Sequence, residues 1–246
     1  MMEAYKGDTK KSIYKSLGVL AKYPRQVIVL QNTGMCMQRR VGPQMANRLI
    51  WKEHTDTFPT FVREIASAKA GDEVIEESLL WRGHEANARM QGLLDGAASI
   101  MEGNKVMLQS LTAGDISAIR GSSLVPPDIL LRIFSIASDL AEGFRQSFPN
   151  PIVAAQGKSR TSDFLFRVGL AMTCWFLDWV RTGGPTSVKP EKIRNDYVDA
   201  MISVYGSYFN GIMTGDAKLQ RVGSLNRHLL EVLGARLSRP YAQLSL

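Results

Sequence analysis

Three aspartates near the C-terminus have types and a spacing that suit metal chemistry. Asp196 and Asp199 lie three residues apart, and Asp216 follows after a run of apolar and small residues. On a helix, a spacing of three puts both carboxylates on one face, and Asn195 is a good N-cap for such a helix. Val198, Ile202, Tyr205 and Phe209 continue it at helical intervals. Gly211–Thr214 reads as a short strand, with Asp216 just past its end and another helix from Ala217. In open α/β sheets, sites gather at the carboxyl ends of strands, so a helix start and a strand end can bring these acids together. Gathered carboxylates repel one another and raise each other's pKa. A hard cation such as Mg2+ or Mn2+ offsets that repulsion, and beside a phosphodiester it polarises the phosphate and acidifies bound water. Each acid also has a simpler role: Asp196 can answer a helix dipole, and Asp216 can cap the next helix.

The elements that would position these residues follow from the apolar pattern. Thr9–Tyr23 reads as a basic amphipathic helix, with Ile13, Leu17 and Leu20 on one face. Gln26–Leu30 is a short β-branched run with the look of a buried parallel strand, ended by the polar turn Gln31–Gly34. Ala46–Ala70 is helical in pattern, interrupted near Pro59. Short strands are expected at Glu73–Glu76 and Lys105–Leu111, and helices at Leu79–Leu94, Pro127–Phe148 and Ser162–Arg181. Ser123–Pro127 and Thr182–Pro190 read as loops. Strand, helix, strand, helix in that order predicts an α/β fold: one domain over residues 1–246, a Rossmann-like parallel sheet of about four to five strands flanked by helices. A mostly helical insertion is expected at 108–190.

Composition narrows the function classes. The chain has 246 residues, 45% hydrophobic and 22% charged, which is enough for a sizeable core. Its two cysteines, Cys36 and Cys174, make no disulfide framework and fit a reducing, cytoplasmic setting. Met1–Lys15 is polar and charged, without the pattern of a signal segment. Phe164–Val180 is the most apolar stretch, but Arg167 and Asp178 within it point to a buried helix, not a membrane span. The net charge of +7 favours polyanionic partners. Lys10, Lys11, Lys15, Arg39, Arg40, Arg120 and Lys158 are the residues that could follow a phosphate backbone. Gly157-Lys158-Ser159 is no P-loop, because position 152 is Ile where a glycine is needed. His54, His84 and His228 lack metal-ligand spacing.

The string from Asp196 to Asp216 resembles the third and fourth acidic motifs of PIN-domain nucleases: a helix opening on Asp, then a strand ending in Thr-x-Asp, here Thr214-Gly215-Asp216. Asp199, before Ala200 and Met201, fits the helical acid, with Asp196 close behind. Leu80-Trp81-Arg82-Gly83-His84-Glu85-Ala86-Asn87 is similar to the second motif and offers Glu85. The first acid of that family ends the first strand, where this chain has Asn32 before Thr33. The resemblance covers about a quarter of the chain. It implies an Mg2+- or Mn2+-dependent endonuclease, acting on RNA or on single-stranded DNA. Asn32, Glu85, Asp196, Asp199 and Asp216 would be the catalytic positions, with the metal on Glu85, Asp199 and Asp216. Thr33, Thr214, Arg39, Arg40 and Lys158 would touch the nucleic acid. An inhibitory, antitoxin-like protein partner is implied as well, and self-association is left open. Asn32 in place of a carboxylate weakens metal binding, and so also implies the alternative of an inactive RNA-binding or assembly subunit on the same fold.

Overall fold

The computed structural model of the chain describes residues 9–42, 44–121, 127–149, 152, 154–183 and 188–237. Among these residues the fold is helical throughout. The helices are α1 (Thr9–Leu17), α2 (Thr33–Met37), α3 (Met45–Arg48), α4 (Lys52–Lys69), α5 (Glu73–Asp95), α6 (Ala97–Gln109), α7 (Ala113–Gly121), α8 (Pro127–Gln146), α9 (Phe164–Arg181), α10 (Pro190–Tyr208) and α11 (Ala217–Val232), with short 3-10 turns between some of them. The sole β feature among the described residues is an isolated antiparallel bridge between Leu30 and Ile50. This overturns the expected Rossmann-like parallel sheet, and with it the PIN-like fold.

Each expected strand fails for a local reason. In Gln26–Leu30 the backbone is satisfied by the start of α4 and not by a parallel neighbour. The Trp51 amide donates to Val29 O at 2.8 Å and the Gln31 amide to Leu49 O at 2.8 Å, while the Val29 amide donates to Thr55 Oγ1 at 2.9 Å. Glu73–Glu76 opens α5: Asp72 caps it by accepting from the Ile75 amide at 3.2 Å, and Glu73 and Glu76 in the first turn suit the helix dipole. Lys105–Leu111 is the end of α6 and the turn after it. Buried Ala97, Asn104 and Leu111 recur every seven residues, a helical interval that outweighs the apolar run. Gly211–Thr214 is not a strand either. Asn195 lies inside α10, whose N-cap is Lys189 with Pro190 at the first position. The loop expected at 123–127 falls, but for Pro127, outside the described residues, as do positions 184–187 of the loop before α10.

The chain divides into two compact units, Met1–Gln31 with Asn47–Gly96, and Asn32–Ala46 with Ala97–Leu246. In the first unit, Ile13 and Leu17 of α1 pack with Ile65 and Ala68 of α4 and Leu79 and Ala86 of α5. In the second unit, α9 is the axis. Every residue from Phe164 to Val180 is buried, and α8, α10, α11, α7 and α2 pack around it. Residues 108–190, expected as an insertion, supply α7, α8 and α9 to this unit. No helix among the described residues is long and apolar enough to cross a membrane.

The contact of α8 with α9 leaves no room for a side chain at Gly169, where a Cβ would strike the Ala137 carbonyl oxygen and crowd the Ala141 amide. Backbone cannot yield as a flexible side chain can, so Gly169→Ala is expected to destabilise the second unit by about 2–4 kcal/mol. Thermal unfolding followed by circular dichroism checks this. An unchanged midpoint would mean that the two helices do not meet at Gly169.

Candidate functional site

The five expected catalytic positions take distinct places. Asn32 is the N-cap of α2, its Oδ1 accepting from the Met35 amide at 3.0 Å. Glu85 is exposed on α5 of the first unit, 3.9 Å from Arg89. Asp199 is half-buried on α10. Asp216 is the exposed N-cap of α11, its Oδ1 accepting from the Lys218 amide at 2.7 Å and the Leu219 amide at 2.9 Å. Those two N–H groups hold its carboxyl below the ordinary aspartate range. Thr214 Oγ1 accepts from the Asp216 amide at 3.0 Å. Thr33 faces the Tyr205 hydroxyl at 3.5 Å, with the Cys36 sulfur 3.6 Å from the same oxygen.

Asp196 is the acid the fold treats differently. It is buried on α10, and both of its oxygens are taken. Lys218 Nζ lies 2.6 Å from Oδ1, and Trp179 Nε1 donates to Oδ2 at 3.0 Å. Beside it, buried Asp178 of α9 accepts from Arg221 Nε at 3.1 Å and from its second nitrogen at 3.4 Å. That contact raises the Arg221 pKa above its ordinary value. Lys218 also lies 6.0 and 5.9 Å from the ring centroids of Trp175 and Trp179. Asp196 and Asp216 therefore converge on one residue, Lys218, the first through its ammonium and the second through its amide.

Sequence reasoning missed Asp178, Trp179, Lys218 and Arg221. One signal was present: α11 opens with cations and no acid in its first turn beyond the cap. Cations there oppose the helix dipole, so they must answer carboxylates on neighbouring helices. Among the described residues, no group of three or more His, Cys, Asp or Glu side chains could hold a metal ion.

One of the basic candidates, Arg40, lines a cleft with residues distant in the chain. A cleft of about 650 Å3 is lined by Arg40, Val41 and Gly42 from the segment after α2, and by Ala154, Ala155, Ser159 and Ser162. Exposed Arg39 adjoins one wall. On the other, the turn Gly157–Ser162 carries Arg160, whose guanidinium lies 5.0 Å over the Phe166 ring and donates to Ser138 Oγ. Lys158 is on that turn by its backbone, and its side chain falls outside the described residues. The described residues of the lining are basic, polar or apolar.

Compared with models of protein families, with curated proteins and with solved structures, the chain matches none. The resemblance to PIN-domain nucleases is thus corrected by the fold, because its order of acidic motifs presupposes strand ends that the described residues do not form.

Two substitutions separate pairing from capping. Asp196→Ala strands Trp179 Nε1 and Lys218 and is expected to cost about 2 kcal/mol. Asp216→Ala removes a cap, at about 1 kcal/mol near neutral pH. The Asp216 pKa is depressed by folding, so its contribution is present above the unfolded value near ~3.9 and fades as pH falls through the folded value. Urea unfolding of wild type and Asp216→Ala from neutral to acid pH should show the difference shrinking below about pH 4. A difference that held constant into acid would remove the cap from the account.

Proposed function

We propose that the second unit binds nucleic acid through its phosphate backbone, at the cleft between the Arg39–Gly42 segment and the Gly157–Ser162 turn. The observation that supports this is the cleft that Arg40 shares with Ser159 and Ser162, with exposed Arg39 next to Arg40 in the chain and Arg160 on the same turn as the two serines. Charge distribution supports it as well. The first unit has 12 Lys and Arg against 11 Asp and Glu, and the second 18 against 12, so nearly all of the positive excess lies in the second. Guanidinium groups hold phosphate by paired hydrogen bonds, and serine hydroxyls add neutral donors. Binding of this type neutralises phosphates and releases counterions, so it falls steeply with salt.

Metal-dependent hydrolysis asks more of the acids than their arrangement gives. Both Asp196 oxygens and Oδ1 of Asp216 are already engaged by protein donors. Among the described residues no group of three or more His, Cys, Asp or Glu side chains could hold a metal ion, and the proposed role is binding without cleavage.

Anisotropy of a labelled single-stranded RNA, and of DNA of the same sequence, tests this. The double variant Arg39→Glu with Arg40→Glu is expected to weaken binding at least about tenfold. The slope of log K against log salt should fall by about 0.7 for each phosphate that the variant no longer neutralises. Equal affinity for wild type and variant would remove the cleft from the reading. The same oligonucleotides incubated with Mg2+ or Mn2+ should stay intact. Cleavage that EDTA stops and Asp216→Asn abolishes would instead restore the acids as a hydrolytic site.

A further inference from the structure

A second concavity in the same unit has the opposite character. Between α6 and α8 a groove of about 540 Å3 is lined by Val106, Met107, Ser110, Ile136, Asp139, Leu140, Gly143 and Phe144. Val106 in this lining is 60% exposed. The lining is mostly apolar, and a contiguous apolar surface left in water marks a site that another molecule covers. Among the described residues of the lining the one charged side chain is the exposed Asp139, and none of the described residues forms an ion pair with it. Glu102 on α6 and Glu142 on α8 stand about one turn from the lining, and Glu102 holds the neighbouring Lys105 at 3.0 Å.

We propose that this groove docks an amphipathic helix of a partner protein, with aliphatic side chains on one face and Lys or Arg beside them. The shape calls for a helix laid between two helices, anchored by apolar side chains spaced three and four residues apart. Charge selects its sign. In a unit whose excess charge is positive, an apolar groove whose own charge is a carboxylate repels nucleic acid and attracts a cationic segment. The groove shares no lining residue with the basic cleft, so the two surfaces are separately addressable, and this inference does not depend on the nucleic-acid reading.

The test uses two labelled synthetic helices, one of leucine and lysine and one of leucine and glutamate, titrated with the full chain in an anisotropy assay. The leucine–lysine helix is expected to bind saturably, one per chain, and the leucine–glutamate helix at least about tenfold more weakly. Val106→Glu and Asp139→Lys change exposed positions, so both variants should fold as the wild type does by circular dichroism. Each should weaken the leucine–lysine helix about tenfold, whereas Arg40→Glu should leave it unchanged. Failure of that helix to bind, equal binding of the two helices, or indifference to Val106→Glu and Asp139→Lys would each overturn the proposal.

Discussion

The complete burial of α9 is the constraint on which the second unit depends. A helix buried from Phe164 to Val180 has no face on which polar groups can meet water. Each must be answered by protein or cost the full loss of its hydration. Arg167 donates to Thr161 O at 2.7 Å, Ser207 O at 2.6 Å and Ser207 Oγ at 2.9 Å, and lies 3.7 Å over the Tyr208 ring. Burial pushes its pKa down, yet an arginine in such a cage keeps its proton, so the cage must be permanent. Thr173 returns its hydroxyl to Gly169 O at 2.8 Å. Asp178 and Trp179 reach Arg221 and Asp196. These demands fix the rotation and height of α10 and α11 against α9, which hydrophobic packing alone would leave looser.

The same demands explain the charge of the surface. In the second unit, buried Asp115, Asp163, Asp178 and Asp196 pair with Arg132, Arg145, Arg221 and Lys218 respectively. Carboxylates are thereby drawn inward, each neutralised one for one, and the excess of arginine and lysine is left to the outside. Such pairs contribute little net stability, because desolvation offsets their attraction. Their effect is to specify which helices meet, and to leave the excess of positive charge to the exterior, where Arg39 and Arg40 are exposed.

Much of this was legible in the sequence, and the boundary has physical causes. The long periodic segments were readable: α8 from Ile129, Ile133, Ile136 and Leu140, and α9 from an apolar run whose Arg167 and Asp178 argued for burial in protein. The short apolar runs were not. A brief β-branched run cannot by itself distinguish a strand from an extended segment stitched to a helix start. For Val27–Leu30 the decision lies with Thr55 and Trp51, more than twenty positions away. At Glu73–Glu76 the cap residue Asp72 was visible, and the helix dipole that welcomes two glutamates should have outweighed the apolar pair between them. Of the basic candidates, Arg40 lines a cleft together with residues of the Gly157–Ser162 turn, a neighbourhood that charge alone could not reveal.

The acids show why a carboxylate at a helix start is ambiguous. Asn32 and Asp216 stand where helices begin, and the physics that would hold a metal-binding carboxylate there, free amide groups and a positive dipole end, equally holds a cap. The identity of the acid therefore does not decide between them; the charges of its neighbours do. A metal site needs carboxylates in excess over cations, so that the ion supplies the missing positive charge. Around Asp196 and Asp178 the chain supplies that charge itself, as Lys218 and Arg221 in the first turns of α11, against the dipole of their own helix. Cations placed where their own helix disfavours them belong to the carboxylates they face, and that makes this cluster a clamp between three helices in which the positive charge is already in place.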